Sequence, residues 1–148
     1  MIRLLVLCTH NSARSQMAEG WLRHLCLQAA VDAEICSAGT AKTRVKPEAA
    51  EVMAEVGIDL TQHWSKTIDE VPRPEAFDAV ITVCDSANQN CPYFPAARRY
   101  HVSLPDPSGQ GLERWRQSRE QIERVMLVLT RALGAQQWPD PATLNDAR

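Results

Sequence analysis

A short apolar run, residues 2–7, broken only by Arg3, leads directly into Cys8-Thr9-His10-Asn11-Ser12-Ala13-Arg14-Ser15, and an amphipathic stretch follows. No other feature constrains the fold of this chain so tightly. The run reads as a buried strand, the polar octet as a loop, and the stretch beyond as a helix. Successive backbone N–H groups in such a loop point at one spot, and the helix N-terminus adds partial positive charge there. Arg14 contributes a planar fork of donors suited to a tetrahedral oxyanion. The same field is expected to favour thiolate over thiol at Cys8 and to bring its pKa below the free value of about 8.5. One segment thus joins an activated nucleophile to an anion cradle made of Thr9, His10, Asn11, Ser12, Ala13, Arg14 and Ser15. The plainer reading of Cys8 as a small buried hydrophobe leaves Arg14 and Ser15 unexplained.

Alternating strands and helices fill the rest of the chain. Ala18, Trp21, Leu22 and Leu25 lie on one face of a helix over residues 15–27, and residues 34–38 read as a short strand closed by Gly39. Pro47 suits a first helical turn, Ala49, Val52, Met53 and Val56 line one side, and Gly57 stops that helix. The β-branched run 79–84 reads as a buried strand and residues 99–102 as a weaker one. A long final helix carries Leu112, Trp115, Ile122, Val125, Met126, Leu129 and Leu133 on one face and ends at Gly134. This pattern implies an α/β three-layer sandwich, with a four-stranded parallel sheet between helices on both faces. Residues 1–134 are expected to form one catalytic domain, and the polar residues 135–148 a loosely held tail. In such sheets ligands sit at the carboxyl ends of strands, where Cys8 and Cys84 both fall.

Composition removes several alternatives. A chain of 148 residues can bury roughly 70% of its unfolded surface in one domain. Lys plus Arg number 16 against 18 Asp plus Glu, so nothing suggests a nucleic-acid surface. No apolar run approaches the roughly 20 residues that cross a membrane, and no basic leader precedes the first strand. A cytoplasmic monomer is expected. Five cysteines in that compartment read as catalytic, metal-binding or buried thiols. Cys26 and Cys36 are assigned to packing. His10, His24, His63 and His101 show no metal-like spacing, and no metal or cofactor is expected.

Two further constellations bear on chemistry. In Cys84-Asp85-Ser86-Ala87-Asn88-Gln89-Asn90-Cys91-Pro92 the two thiols flank a polar loop. Their gap is wider than zinc-ligand pairs usually show and wider than the Cys-x-x-Cys of thioredoxin-like proteins, though such a loop could bring the two sulfurs together. In Leu104-Pro105-Asp106-Pro107-Ser108-Gly109 two prolines hold Asp106 in a turned loop. Asp106 is then either a turn residue or an acid near the oxyanion site.

The Cys8-x5-Arg14-Ser15 pattern after a first strand resembles the low-molecular-weight protein tyrosine phosphatases. With Gln16-Met17-Ala18-Glu19-Gly20 and the Cys84/Cys91 pair, it resembles still more closely the thioredoxin-coupled arsenate reductases of the same fold. The likeness runs over roughly residues 1–133. It implies that Cys8 attacks arsenate held by the loop and Arg14, that Ser15 hydrogen-bonds the Cys8 sulfur, and that Asp106 helps an oxygen leave as water. It further implies that Cys84 then attacks Cys8, that Cys91 attacks Cys84, and that thioredoxin reduces the last disulfide. One alternative is a phosphomonoesterase using Cys8 and Asp106. Another is a thiol-rich binder of arsenite or soft metals. Phosphatases of this fold tend to follow Asp-Pro with aromatic residues, whereas Ser108-Gly109-Gln110 follow here and suit a small inorganic anion.

Some of these reductases bind potassium beside the loop, at positions matching Asn11, Ser37 and two in a His-Thr-Ser-Asp stretch. The corresponding stretch here reads His63-Trp64-Ser65-Lys66. Lys66 would repel a cation, and its ammonium is expected to take the ion's place, reaching toward Asn11 and Ser37. The alternative is a solvent-facing lysine.

Overall fold

The computed structural model describes residues 1–84 and 96–148. Four parallel strands, β1 (Ile2–Cys8), β2 (Ala33–Gly39), β3 (Ala79–Thr82) and β4 (Arg98–His101), form a sheet in the order β2-β1-β3-β4. The α-helices are α1 (Arg14–Gln28), α2 (Pro47–Ala54), α3 (Leu112–Gly134) and α4 (Pro141–Asp146). Every expected strand and helix is present, with ends that coincide or are displaced by up to two residues.

β1 is central, so both of its faces are covered and its sequence is almost wholly apolar. Leu4 and Val6 enter the larger core with residues of all four α-helices, while Leu5 and Leu7 meet Cys36, Val71, Phe77 and Val80 on the other face. Among the described residues, the helical layer on that second face is reduced to two 3-10 turns, Ile68–Glu70 and Pro74–Ala76. The exception in the apolar run, Arg3, is buried but fully engaged. Its Nε donates to Glu34 at 2.9 Å, its Nη1 to the Arg73 carbonyl at 2.8 Å and its Nη2 to the Pro72 carbonyl at 2.6 Å, above the Phe77 ring. Cys26 and Cys36 are buried packing thiols, as expected.

The tail departs from expectation. α4 inserts Leu144 into the main core with no exposed surface. The Pro139 carbonyl accepts from the Tyr100 hydroxyl at 2.8 Å, and Asn145 donates to the His101 carbonyl at 2.8 Å. A single apolar residue in a six-residue helix shows no periodicity, so its packing is invisible to sequence patterning. The tail covers β4, an edge strand that would otherwise present unpaired backbone groups.

Chain order sets where the site lies. From β1 the chain passes to β2 on one side and later returns to β3 on the other. The sheet therefore changes direction between β1 and β3, and crevices open at the carboxyl ends of such strands. Cys8 ends β1, and Cys84 follows β3 two residues past its last strand residue.

Candidate active site

The loop from Thr9 to Ala13 is organised by its carbonyls. The Thr9 carbonyl accepts from the amides of Thr40 at 2.9 Å and Ala41 at 3.0 Å. That of His10 accepts from Ser65 Oγ at 2.9 Å and Thr43 Oγ1 at 3.1 Å. Gln16 Nε2 donates to the Asn11 carbonyl at 3.1 Å, Lys46 N to that of Ser12 at 2.9 Å and Met17 N to that of Ala13 at 3.0 Å. Among the described residues, the amides of residues 10–13 donate to no protein acceptor. With the carbonyls occupied, the donors are left for an anion at the start of α1. Asn11 has a left-handed backbone, φ 49°, which asparagine adopts more readily than most residues. Gly39 makes this geometry possible. A Cβ there would lie 2.6 Å from the Thr9 carbonyl oxygen and 2.9 Å from the Asn11 nitrogen.

Beneath the loop lies a sealed polar cluster. Asn11 Nδ2 donates to Ser37 Oγ at 2.9 Å and Ser15 Oγ at 3.0 Å, and its Oδ1 accepts from Gln16 Nε2 at 2.9 Å and from the Lys66 backbone N–H at 3.0 Å. Ser37 Oγ donates to Glu19, and His63 Nδ1 lies 2.9 Å from Gln16 Oε1. Lys66 is buried, with its ammonium 3.8 Å from Glu19 Oε1. It therefore does not point into solvent. The Ser15 hydroxyl accepts from Asn11 Nδ2 and, among the described residues, makes no hydrogen bond to the Cys8 sulfur, contrary to expectation.

Cys8 is buried, and the Cys84 thiol reaches it. Their hydrogen bond, followed by burial, pushes the Cys8 thiol well above its ordinary pKa, against the pull of Arg14 and the Thr9 amide. This corrects the expectation of a depressed value. The loop field is present, but the Cys84 sulfur, by its contact and its charge, and burial outweigh it, and the Arg14 guanidinium is drawn elsewhere. Arg14 Nη1 donates to the Leu104 carbonyl at 2.7 Å, and Nη2 lies 4.0 Å from Asp106 Oδ2.

Arg14 thus ties the loop carrying Asp106 to the anion cradle. Burial raises the Asp106 carboxyl, but the Ser108 amide, which donates to it at 3.0 Å, and the charges of Arg14 and Lys46 outweigh it, leaving its pKa below the usual carboxylate range. At neutral pH the group is charged and able to take a proton. Cys91 lies outside the described residues. Among those described, no cluster of His, Cys, Asp and Glu has the makings of a metal centre, and no helix is long and apolar enough to cross a membrane.

Sequence reading missed several parts of this site. Gln16, Glu19 and Lys46 were given no task there, His63 was set aside, and Gly39 was read only as a strand end. One usable signal was the set Ser15, Gln16, Glu19 and Arg23, polar residues at helical spacing on a helix whose other faces are apolar.

The matching family model, described as low molecular weight phosphotyrosine protein phosphatase, covers residues 3–138. An arsenate reductase of Staphylococcus xylosus is 39% identical over 118 residues, 79% of this chain and 87% of its own length. One from Staphylococcus aureus strain Newman is 38% identical, also over 118 residues, 79% of this chain and 87% of its own length. A solved arsenate reductase in its phosphate-binding state is similar with a TM-score of 0.78 and 32% identity, over 88% of this chain and 98% of that one. A low molecular weight protein tyrosine phosphatase from T. tengcongensis gives a TM-score of 0.74 and 26% identity, over 85% and 95%. The thiol loop, the parallel sheet and these likenesses together place the chain in the low molecular weight phosphotyrosine protein phosphatase family, among its arsenate reductases.

Proposed function

We propose that the protein reduces arsenate to arsenite through a relay of Cys8, Cys84 and Cys91, recharged by thioredoxin. The observation that carries this reading is the placement of Cys84 beside Cys8, the two thiols following paired parallel strands, Leu7 opposite Thr82, at the same edge of the sheet. A phosphomonoesterase needs one thiol in its anion loop, whereas reduction of As(V) to As(III) needs two that can meet. The fit of the loop to a tetrahedral anion supports the substrate class.

In the reduced protein Cys84 holds Cys8 as a thiol. When arsenate enters, the amides of residues 10–13 and Arg14 take its oxygens, and release of the Cys84 bond frees Cys8 to ionise. The Cys8 sulfur attacks arsenic, and an oxygen leaves as water. Asp106, charged beforehand, takes a proton from the bound hydrogen arsenate and returns it to the departing oxygen. Cys84 thiolate then attacks the Cys8 sulfur. The S–As bonding pair stays on arsenic, which leaves as arsenite, and a Cys8–Cys84 disulfide remains. Cys91 attacks Cys84 and expels the Cys8 thiolate. A dithiol protein, thioredoxin in this proposal, then takes the oxidation away. The sum is arsenate plus two thiols giving arsenite, a disulfide and water. No flavin, nicotinamide or metal enters these steps. A monomeric, cytoplasmic protein suits a relay fed by reduced thioredoxin.

Assays of arsenate and of an aryl phosphate, run side by side with a thioredoxin system, test the reading. Arsenate-dependent oxidation of thioredoxin is expected, with aryl phosphate hydrolysis slow. Fast hydrolysis without arsenate turnover would make the protein a phosphatase.

A further inference from the structure

The cluster under the anion loop contains a carboxylate, Glu19, whose side chain is only 4% exposed. A buried carboxylate needs cationic partners, and three groups face it. Arg23 lies 2.9 Å away, but its side chain is 55% exposed. His63 lies 3.7 Å away, but burial lowers its pKa, so it brings no charge at neutral pH. Lys66 is the internal cation. Its ammonium sits 3.8 Å from Glu19, 3.4 Å from the Trp64 carbonyl and 5.3 Å from the centre of the Trp64 ring.

Lys66 also holds the loop through its backbone. Its N–H donates to Asn11 Oδ1 at 3.0 Å, and its carbonyl accepts from Gly39 N at 2.9 Å. From the ammonium, an unbroken path runs through Glu19, Ser37 and Asn11 to Ser15. The residues present do not fit a resident monovalent cation. Asn11 Oδ1 already accepts two donors, the Ser37 hydroxyl is committed to Glu19, and an ion beside Glu19 would meet the ammonium.

We infer that Lys66 is a positioning residue, a built-in cation whose ammonium on Glu19 sets the Ser37–Asn11–Ser15 chain and so aligns the loop amides for an oxyanion without any added metal ion. This rests on the reading of the loop as an oxyanion cradle. Inorganic phosphate serves as the probe, so binding is measured independently of arsenate turnover.

Phosphate affinity would be measured by calorimetry on the native protein, K66M and K66R, below their melting temperatures. Potassium, sodium and choline chloride would be compared at fixed ionic strength. The native protein should bind phosphate equally in all three salts. K66M should bind it about 2- to 30-fold more weakly, the range that coupling residues show, and K66R should stay within about twofold of native. In arsenate turnover K66M should raise KM more than it lowers kcat. Potassium-specific tightening in the native protein overturns the inference, as does native phosphate affinity in K66M. Should K66M not fold, K66Q takes its place, and equal affinities in K66Q and K66R overturn it. If phosphate binds as expected but arsenate does not turn over, the reductase reading fails while this inference stands.

Discussion

Asn11→Ala strikes the point where the anion loop meets its support. Asn11 is fully buried, and its side chain takes part in four hydrogen bonds. Gln16 Nε2 keeps the Asn11 and Trp64 carbonyls as acceptors after the substitution. The Lys66 amide loses its acceptor inside the protein, at a cost of about 1–3 kcal/mol. The lost bonds to the Ser15 and Ser37 hydroxyls cost roughly 1 kcal/mol each. Alanine in the left-handed region adds about 1 kcal/mol. The sum is roughly 4–6 kcal/mol, which in a chain of this size lowers Tm by about 8–24 °C. Asn11→Gly loses the same hydrogen bonds without the backbone strain, so it should be milder by about 1 kcal/mol. Thermal unfolding followed by circular dichroism measures both. A melting temperature for Asn11→Ala within about 3 °C of native would refute the reasoning.

Gly39→Ala places a Cβ against the Thr9 carbonyl and the Asn11 amide, so the loop must shift. Phosphate affinity should fall at least about tenfold, the reach of a misplaced binding group, as calorimetry would show. Cys84→Ala removes the hydrogen bond that holds Cys8 as a thiol, so iodoacetamide should alkylate Cys8 at lower pH than in native protein. An unchanged alkylation profile would mean that burial alone governs that thiol. Cys8, Cys26 and Cys36 are all shifted upward, the first chiefly by Cys84 and the other two by burial. A raised thiol stays protonated in the fold while its unfolded counterpart ionises. The associated stability is therefore intact below about pH 8.5 and lost as pH climbs beyond it. Urea midpoints measured from pH 7 to 10 should fall over the upper part of that range.

Much of the architecture was legible because its signals are local. The apolar run of β1, the helical spacing on α1 and α3, and Pro47 at the start of α2 each announce themselves within a dozen residues. Cys8 and Arg14 share one loop, so their juxtaposition could be read directly. Cys84 could be placed beside Cys8 because both end strands of a parallel sheet. What escaped was non-local. The groups that turn the loop carbonyls away come from residues 40–46 and 65, and no pattern in the sequence ties them to Thr9 or His10. The Cys8 pKa was misjudged for a related reason. Helix and loop fields can be read from the sequence, whereas a thiol partner on the sulfur depends on how the chain turns after β3. Leu144 was hidden in a polar tail because one residue has no period. Cys91 lies outside the described residues, so its part in the relay rests on likeness and on the chemistry of Cys84.

The relay is tested most directly by trapping its intermediates. One equivalent of arsenate added to reduced Cys91→Ser should yield a single turnover of arsenite and a Cys8–Cys84 disulfide, located by mass spectrometry of alkylated peptides. The native protein under the same conditions should accumulate Cys84–Cys91, with Cys8 returned to a free thiol. Thioredoxin-linked turnover by Cys91→Ser at the native rate, or arsenite release with Cys84 still alkylatable, would contradict the account.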